Sequence, residues 1–228
     1  MPLGLEFVAA DPRTAAQQLS RHAIHVWRIP YTPSQGRAPL LALLAAYLGV
    51  PVSQVALDQN AKGKPHLQSV SSRPGQTSPE GADEILSFNW SHSGDYALIA
   101  LAHGGALGVD IERLGKKLRA LEIAYRFFDP AEAATLAALD PLARDHAFIG
   151  LWCAKEAVLK AVGEGLSFGL ARLAFERHGA ADWELTRVDQ ALGDTGDWQF
   201  AGFDAAPGYR GALAWRGRAR EIHAFYPA

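Results

Sequence analysis

An α+β fold of two similar subdomains is what this chain predicts, and three observations predict it. Strand-type and helix-type runs alternate along its 228 residues. Hydrophobic residues make up 49% of the chain and charged residues 20%, which is enough apolar content for a sizeable core. A weak echo also links the two halves. Leu40 to Leu48, then Gly49, then a loop, then Val52 to Leu57 is matched by Leu151 to Val162, Gly163, a loop, and Leu173 to Glu176. The halves join near residues 104–116, giving subdomains 1–106 and 107–228, and a cleft between them is the default ligand site.

Taken in order, His25-Val26-Trp27-Arg28-Ile29-Pro30 is a short strand-type run stopped by Pro30 and the turn Thr32 to Gly36. Arg37 to Leu48, rich in Leu and Ala, predicts a helix that Gly49 ends. Val52 to Leu57 predicts a strand leading into Asn60-Ala61-Lys62-Gly63-Lys64-Pro65, a compact basic turn. Residues 69–84 have the Ser, Pro and Gly content of an exposed, mobile loop. Ile85 to Asp95 carries a polar cluster. The apolar strand Tyr96 to Ala102 follows it and turns at His103-Gly104-Gly105 into Ala106 to Arg113, which reads as two paired strands with the polar cluster at one end.

Leu118 to Asp140 is helix-rich and breaks at Phe127 to Pro130, where Asp129 caps the helix that Pro130 begins. Its aromatics Tyr125, Phe127 and Phe128 read as core. Trp152 to Val162 predicts a further helix ended by Gly163. The remainder alternates turns with short strands at 173–176, 183–188, 198–203, 212–216 and 222–225.

Composition excludes several classes. A formal net charge of −2 argues against nucleic acid as a partner, so any anion site must be local. The single cysteine, Cys153, forbids an intrachain disulfide, fits a reducing compartment and reads as a small buried hydrophobe. The first residues lack a basic stretch followed by a long apolar core, and no uncharged apolar run is long enough to span a membrane. A cytoplasmic protein is therefore expected.

Four stretches carry chemistry. On the helix from Trp152, Glu156 and Lys160 are four apart and share a face, either as an ordinary surface ion pair worth roughly 0.2–0.5 kcal/mol or as part of a site. Asp110 and Glu112 flank Ile111, so on a strand both carboxylates turn to one side; a solvated face gives the same pattern. With Glu156 they would form three hard oxygen ligands, and with Lys155 and Lys160 nearby they would suit Mg²⁺ on a pyrophosphate. Ser91-His92-Ser93 offers hydroxyls and an imidazole for phosphate oxygens, or for capping backbone groups. Lys62 and Lys64 place positive charge on a glycine-permitted turn, and Arg37 precedes a helix whose N-terminus favours anions. Ser91 and His92, adjacent on an extended chain, point apart and are not set in a nucleophile-elbow pattern, so a nucleophilic Ser-His arrangement is the weaker reading.

Read together and in order, Gly63-Lys64-Pro65, Phe88-Asn89-Trp90-Ser91-His92-Ser93, Gly108-Val109-Asp110-Ile111-Glu112 and the run from Trp152 to Gly163 resemble the signature set of the Sfp-type 4′-phosphopantetheinyl transferases. The resemblance implies a monomer whose two α+β halves are arranged pseudo-twofold around a cleft that binds coenzyme A. It implies transfer of the 4′-phosphopantetheine arm from coenzyme A to a serine of an apo acyl- or peptidyl-carrier protein, leaving adenosine 3′,5′-bisphosphate. By the family's pattern Asp110, Glu112 and Glu156 hold Mg²⁺. Lys160 and Lys155 neutralise phosphate charge, and Ser91, His92, Arg37, Lys62 and Lys64 contact the coenzyme. Glu156, directly or through a metal-bound water, is then the base for the carrier serine. Trp90 stands where the family often has a smaller aliphatic residue. Carrier recognition is expected beside the cleft, with 118–140 as the candidate surface. Two other readings use the same cleft: a non-catalytic module binding coenzyme A or a carrier protein, and a metal-dependent phosphohydrolase.

Overall fold

The computed structural model describes residues 4–68, 85–115, 118–179 and 182–228, so the stretch 69–84 lies outside the described residues. The chain starts with β1 (Phe7–Ala10), the short α1 (Pro12–Ala16) and β2 (Ala23–Pro30), followed by α2 (Ala38–Leu48). A small hairpin, β3 (Leu57–Gln59) and β4 (Pro65–Leu67), precedes β5 (Leu86–Ser93), β6 (Tyr96–His103) and β7 (Leu107–Arg113). Three helices follow: α3 (Ala120–Phe127), α4 (Pro130–Ala137) and α5 (Pro141–Val162). The chain ends with β8 (Ala174–His178), β9 (Asp182–Arg187), β10 (Trp198–Ala206), β11 (Tyr209–Arg216) and β12 (Glu221–Pro227).

The fold is α+β. Strands in the order β1-β12-β2-β6-β5 form one mixed sheet, and β10-β11-β7 form a second, antiparallel one. Strand alternation decides what each face meets. Ile24, Val26, Leu98 and Ala100 pack against Val109, Ile111, Phe203 and Leu213 between the two sheets. The opposite face of the five-stranded sheet, with Trp27, Ile99 and Leu101, is covered by Leu40, Leu43 and Leu44 of α2. The outer face of the second sheet, at Ala212 and Ala214, is covered by α5. The layers thus run α2, sheet, sheet, α5. Strand β12 returns the chain to the first sheet, between β1 and β2.

Helix ends follow local chemistry. Asp140 accepts from the backbone N–H groups of Leu142 and Ala143 at 3.1 Å, Pro141 opens α5, and Gly163 closes it in the left-handed region at φ 75°. Asp129 and Glu132 form a capping box on α4. Cys153 is fully buried, in keeping with its place in an apolar run.

Three expectations are corrected. Val52 to Leu57 is not a strand: Pro51 leads into a 3₁₀ turn at Val52–Gln54, and extended pairing starts only at Leu57. Strand β7 does not pair with β6. The turn at Gly104 and Gly105, both at positive φ, carries it out of the first sheet to pair with β11. Phe128 is core, but Tyr125 is 66% and Phe127 46% exposed, because α3 is amphipathic and turns them outward. Among the described residues no helix is long and apolar enough to cross a membrane.

One contact fixes the depth of α5. A Cβ on Gly108 of β7 would lie 2.0 Å from the Ala157 carbonyl oxygen and 2.4 Å from the Ala161 nitrogen, both backbone atoms of α5. Helix and strand therefore touch main chain to main chain. Gly108→Ala is expected to lower stability by about 3 kcal/mol, the upper end for overpacking, because backbone cannot swing aside. A urea midpoint within error of the parent protein would refute the close approach.

Candidate active site

Strands β5 and β7 are each the edge strand of their sheet, and they lie side by side at the junction. Period-two alternation turns Asp110 and Glu112 away from the apolar inter-sheet layer, which takes Val109 and Ile111 instead. Asp110 is 3% exposed. Its Oδ1 accepts from Ser91 Oγ at 2.7 Å and from Lys160 Nζ at 2.5 Å, and Ser91 Oγ also accepts from Lys160 at 2.8 Å. Lys160 reaches from α5, so the three groups close a triangle between the sheets and the helix. Its ion pair is with Asp110 rather than with Glu156 one turn away. Glu112 accepts from Ser93 Oγ at 2.7 Å.

Glu156 is the third carboxylate. Burial pushes its pKa up; Lys160 opposes this, while the charges of Asp110 and Glu112 add to it. That coupling places all three acids in one electrostatic neighbourhood. The Cys153 thiol beneath them is pushed well up by burial and by the same two carboxylates, so it is no nucleophile.

Do these residues fit a divalent cation? Asp110 Oδ2 is buried with no hydrogen-bond partner among the described residues, which leaves a hard anionic oxygen unsatisfied beside two further acids. As placed, the described residues present no group of three His, Cys, Asp or Glu side chains that could hold a metal ion. The donor chemistry fits Mg²⁺, and loading it requires Lys160 or the acids to adjust.

A cavity of about 240 Å³ opens beside this cluster, lined by Lys62, Lys64, Asn89, Trp90, Glu156 and Lys160 with the glycines of the adjoining turns. Lys62 is exposed and 3.5 Å from Glu164. The Lys64 ammonium donates to the carbonyls of Ala161 at 2.8 Å and Leu107 at 3.1 Å. Burial draws its pKa down to about 8. Together with Asn60, which donates to the Gly163 carbonyl, Lys64 ties the basic turn to the C-terminal end of α5. Lys64 therefore lines the cavity while its charge serves the helix end, a role the sequence reading did not assign.

Other predicted residues stand apart. Lys155 is corrected outright: it is fully buried, donates to the carbonyls of Leu170 and Leu173, and pairs with Glu132 at 2.8 Å. All three ammonium donors are used, so none faces a coenzyme phosphate. His92 is on the face of β5 opposite Ser91, stacked on Tyr31 with ring centroids 4.6 Å apart, and Trp90 packs beside both. Arg37 is exposed just ahead of α2. Neither His92 nor Arg37 lines the cavity. Asn89, given no role by the sequence, and Ser93, read there as a hydroxyl for phosphate or backbone capping, hold β7 from across the junction; their signal was the i, i+2, i+4 spacing with Ser91 on one strand face.

Comparison with known proteins gives two family matches. A model described as 4′-phosphopantetheinyl transferase superfamily matches residues 106–214, and one described as 4′-phosphopantetheinyl transferase, N-terminal, matches residues 34–103. The 4′-phosphopantetheinyl transferase HetI of Nostoc is 36% identical over 132 residues, covering 58% of this chain and 52% of that protein. The human L-aminoadipate-semialdehyde dehydrogenase-phosphopantetheinyl transferase is 33% identical over 147 residues, covering 62% and 45%. The 4′-phosphopantetheinyl transferase psf-1 of Bacillus pumilus is 28% identical over 165 residues, covering 72% and 62%. The chain spans about half the length of the first of these curated relatives.

Proposed function

Because the chain belongs to the 4′-phosphopantetheinyl transferase superfamily, we propose that it moves the phosphopantetheine arm of coenzyme A to a serine of an apo acyl- or peptidyl-carrier protein. The observation that carries this reading is the acid neighbourhood of Asp110, Glu112 and Glu156, with Lys160 among them and a buried Asp110 Oδ2 that has no hydrogen-bond partner among the described residues. In the reaction the serine Oγ attacks the phosphorus that bears the pantetheine arm. The bond from that phosphorus to the bridging oxygen breaks, and adenosine 3′,5′-bisphosphate leaves with the electron pair.

The chain's own groups divide this work. Asp110, Glu112 and Glu156 would hold Mg²⁺, which when bound neutralises charge on the pyrophosphate. Lys160 adds a second positive charge at the same point, and Lys62 offers another at the cavity mouth. Glu156, whose proton affinity burial already raises, takes the serine proton as attack proceeds. His92, exposed beside Tyr31, with Arg37, is assigned to the outlying phosphate of the coenzyme. No protein nucleophile is required, since positioning and charge neutralisation account for such a transfer. The subdomains 1–106 and 107–228, arranged pseudo-twofold with β12 of the second joining the sheet of the first, supply the two sides of the site, and the protein acts as a cytoplasmic monomer.

The test is incubation with coenzyme A, Mg²⁺ and a panel of apo-carrier proteins, read by intact mass. A phosphopantetheine increment on at least one carrier is expected. Coenzyme binding with no product would instead identify a binding module, and adenosine bisphosphate released without carrier would identify a phosphohydrolase.

A further inference from the structure

Asn89, Ser91 and Ser93 alternate along β5 and share one face, and all three are buried at 4%, 9% and 6% exposure. Each meets β7, a strand with which β5 forms no backbone pairing. Asn89 Oδ1 accepts from the Val109 N–H at 2.9 Å, and Ser91 donates to Asp110. Ser93 Oγ donates to Glu112 Oε2 at 2.7 Å and accepts from the Arg113 N–H at 3.2 Å. Where two sheet edges would leave main-chain groups unpaired, side chains supply the rungs.

The third rung has a chemical consequence. A serine hydroxyl carries one proton, and a backbone N–H can only donate. With the Arg113 N–H directed at Ser93 Oγ, the hydroxyl proton points to Glu112. Glu112 is a long, half-buried side chain with several rotamers, and this bond selects among them. Neighbouring Ser91 performs the same service for Asp110.

We infer that Ser93 is a positioning residue: it sets the orientation in which Glu112 receives the metal and contacts neither coenzyme nor carrier. This rests on the proposed function, since it takes Glu112 as a metal ligand. Loss of a hydrogen-bond partner behind a metal ligand typically lowers affinity by about 10–100-fold.

The experiment is a double-mutant cycle on Mn²⁺ affinity, followed by electron paramagnetic resonance in the presence of coenzyme A. Ser93→Ala is expected to weaken Mn²⁺ by about tenfold in the otherwise native protein and by less than about twofold in the Glu112→Gln background, because its effect runs through Glu112. Ser93→Cys is slightly larger, keeps a donor and donates weakly, so it should show a several-fold loss; it carries the test if the alanine variant does not fold. Native affinity in the Ser93 variants, or an equal loss in both backgrounds, overturns the inference while leaving the metal assignment standing. If the native protein binds no Mn²⁺, the metal assignment itself fails and the inference falls with it.

Discussion

Glu132→Ala is expected to destabilise the protein by about 3–5 kcal/mol, the range for removing one partner of a buried ion pair. Glu132 is 1% exposed and Lys155 fully buried. The glutamate accepts from Lys155, from the Phe175 N–H and from the Asp129 N–H, so it joins α5 to β8 and to the cap of α4. Burial pushes the Glu132 pKa up and the Lys155 pKa down, and each partner's charge opposes the other's shift. Three donors on the acid and three acceptors around the ammonium are the arrangement of an ionised pair. Deleting the acid strands a charge in an apolar setting beside Phe128 and Phe175. Urea denaturation measures the loss. The companion variant Lys155→Met separates structure from binding: it should lose stability while its KM for coenzyme A stays unchanged, and a raised KM in the folded protein would return Lys155 to the site.

Lys155 shows what the sequence holds and how it is missed. On a helix it is four residues from Leu151 and from Leu159, both buried, so the helical period alone puts it on the core face, away from Glu156 and Lys160. Reading the lysines as a cluster in sequence overrides that geometry. What is governed locally is legible: Gly49 and Gly163 end helices in the left-handed region, Asp129 and Pro130 start one, and Asp110 and Glu112 share a strand face. What depends on distant partners is not. Phe7–Ala10 becomes a strand only because β12, at the far end of the chain, pairs with it. Strand β7 does not pair with β6 because both edges of β6 are taken by β2 and β5, and it pairs with β11 instead. Asp140 and Pro141 mark the start of α5 in plain view, yet the polar run Arg144-Asp145-His146 and Gly150 break the apolar pattern and hide eleven helical residues ahead of Trp152. Within the site, the strand period correctly pairs the acids and also separates Ser91 from His92, which the motif alone treats as one unit.

Asp110→Asn is the substitution expected to affect transfer most. It keeps the side chain's shape and one oxygen for the Ser91 hydroxyl, and it removes only the charge. That charge has two roles in the site. On Oδ1 it faces Lys160 at 2.5 Å, and on Oδ2 it offers a buried oxygen with no hydrogen-bond partner among the described residues. An amide presents N–H donors to one of these positions: toward Lys160 they repel an ammonium, and toward the Oδ2 position they repel a cation. Either orientation removes stabilisation of pyrophosphate charge that the proposed reaction needs. Such stabilisation is worth several kcal/mol, so kcat should fall by about 10³-fold. Circular dichroism should remain that of the native fold, because Asn fills the same volume and Lys160 is still partly solvated. Mn²⁺ affinity should fall in parallel with turnover. Time courses of carrier modification by intact mass give the rate, and turnover within about tenfold of the native protein would remove Asp110 from the metal site.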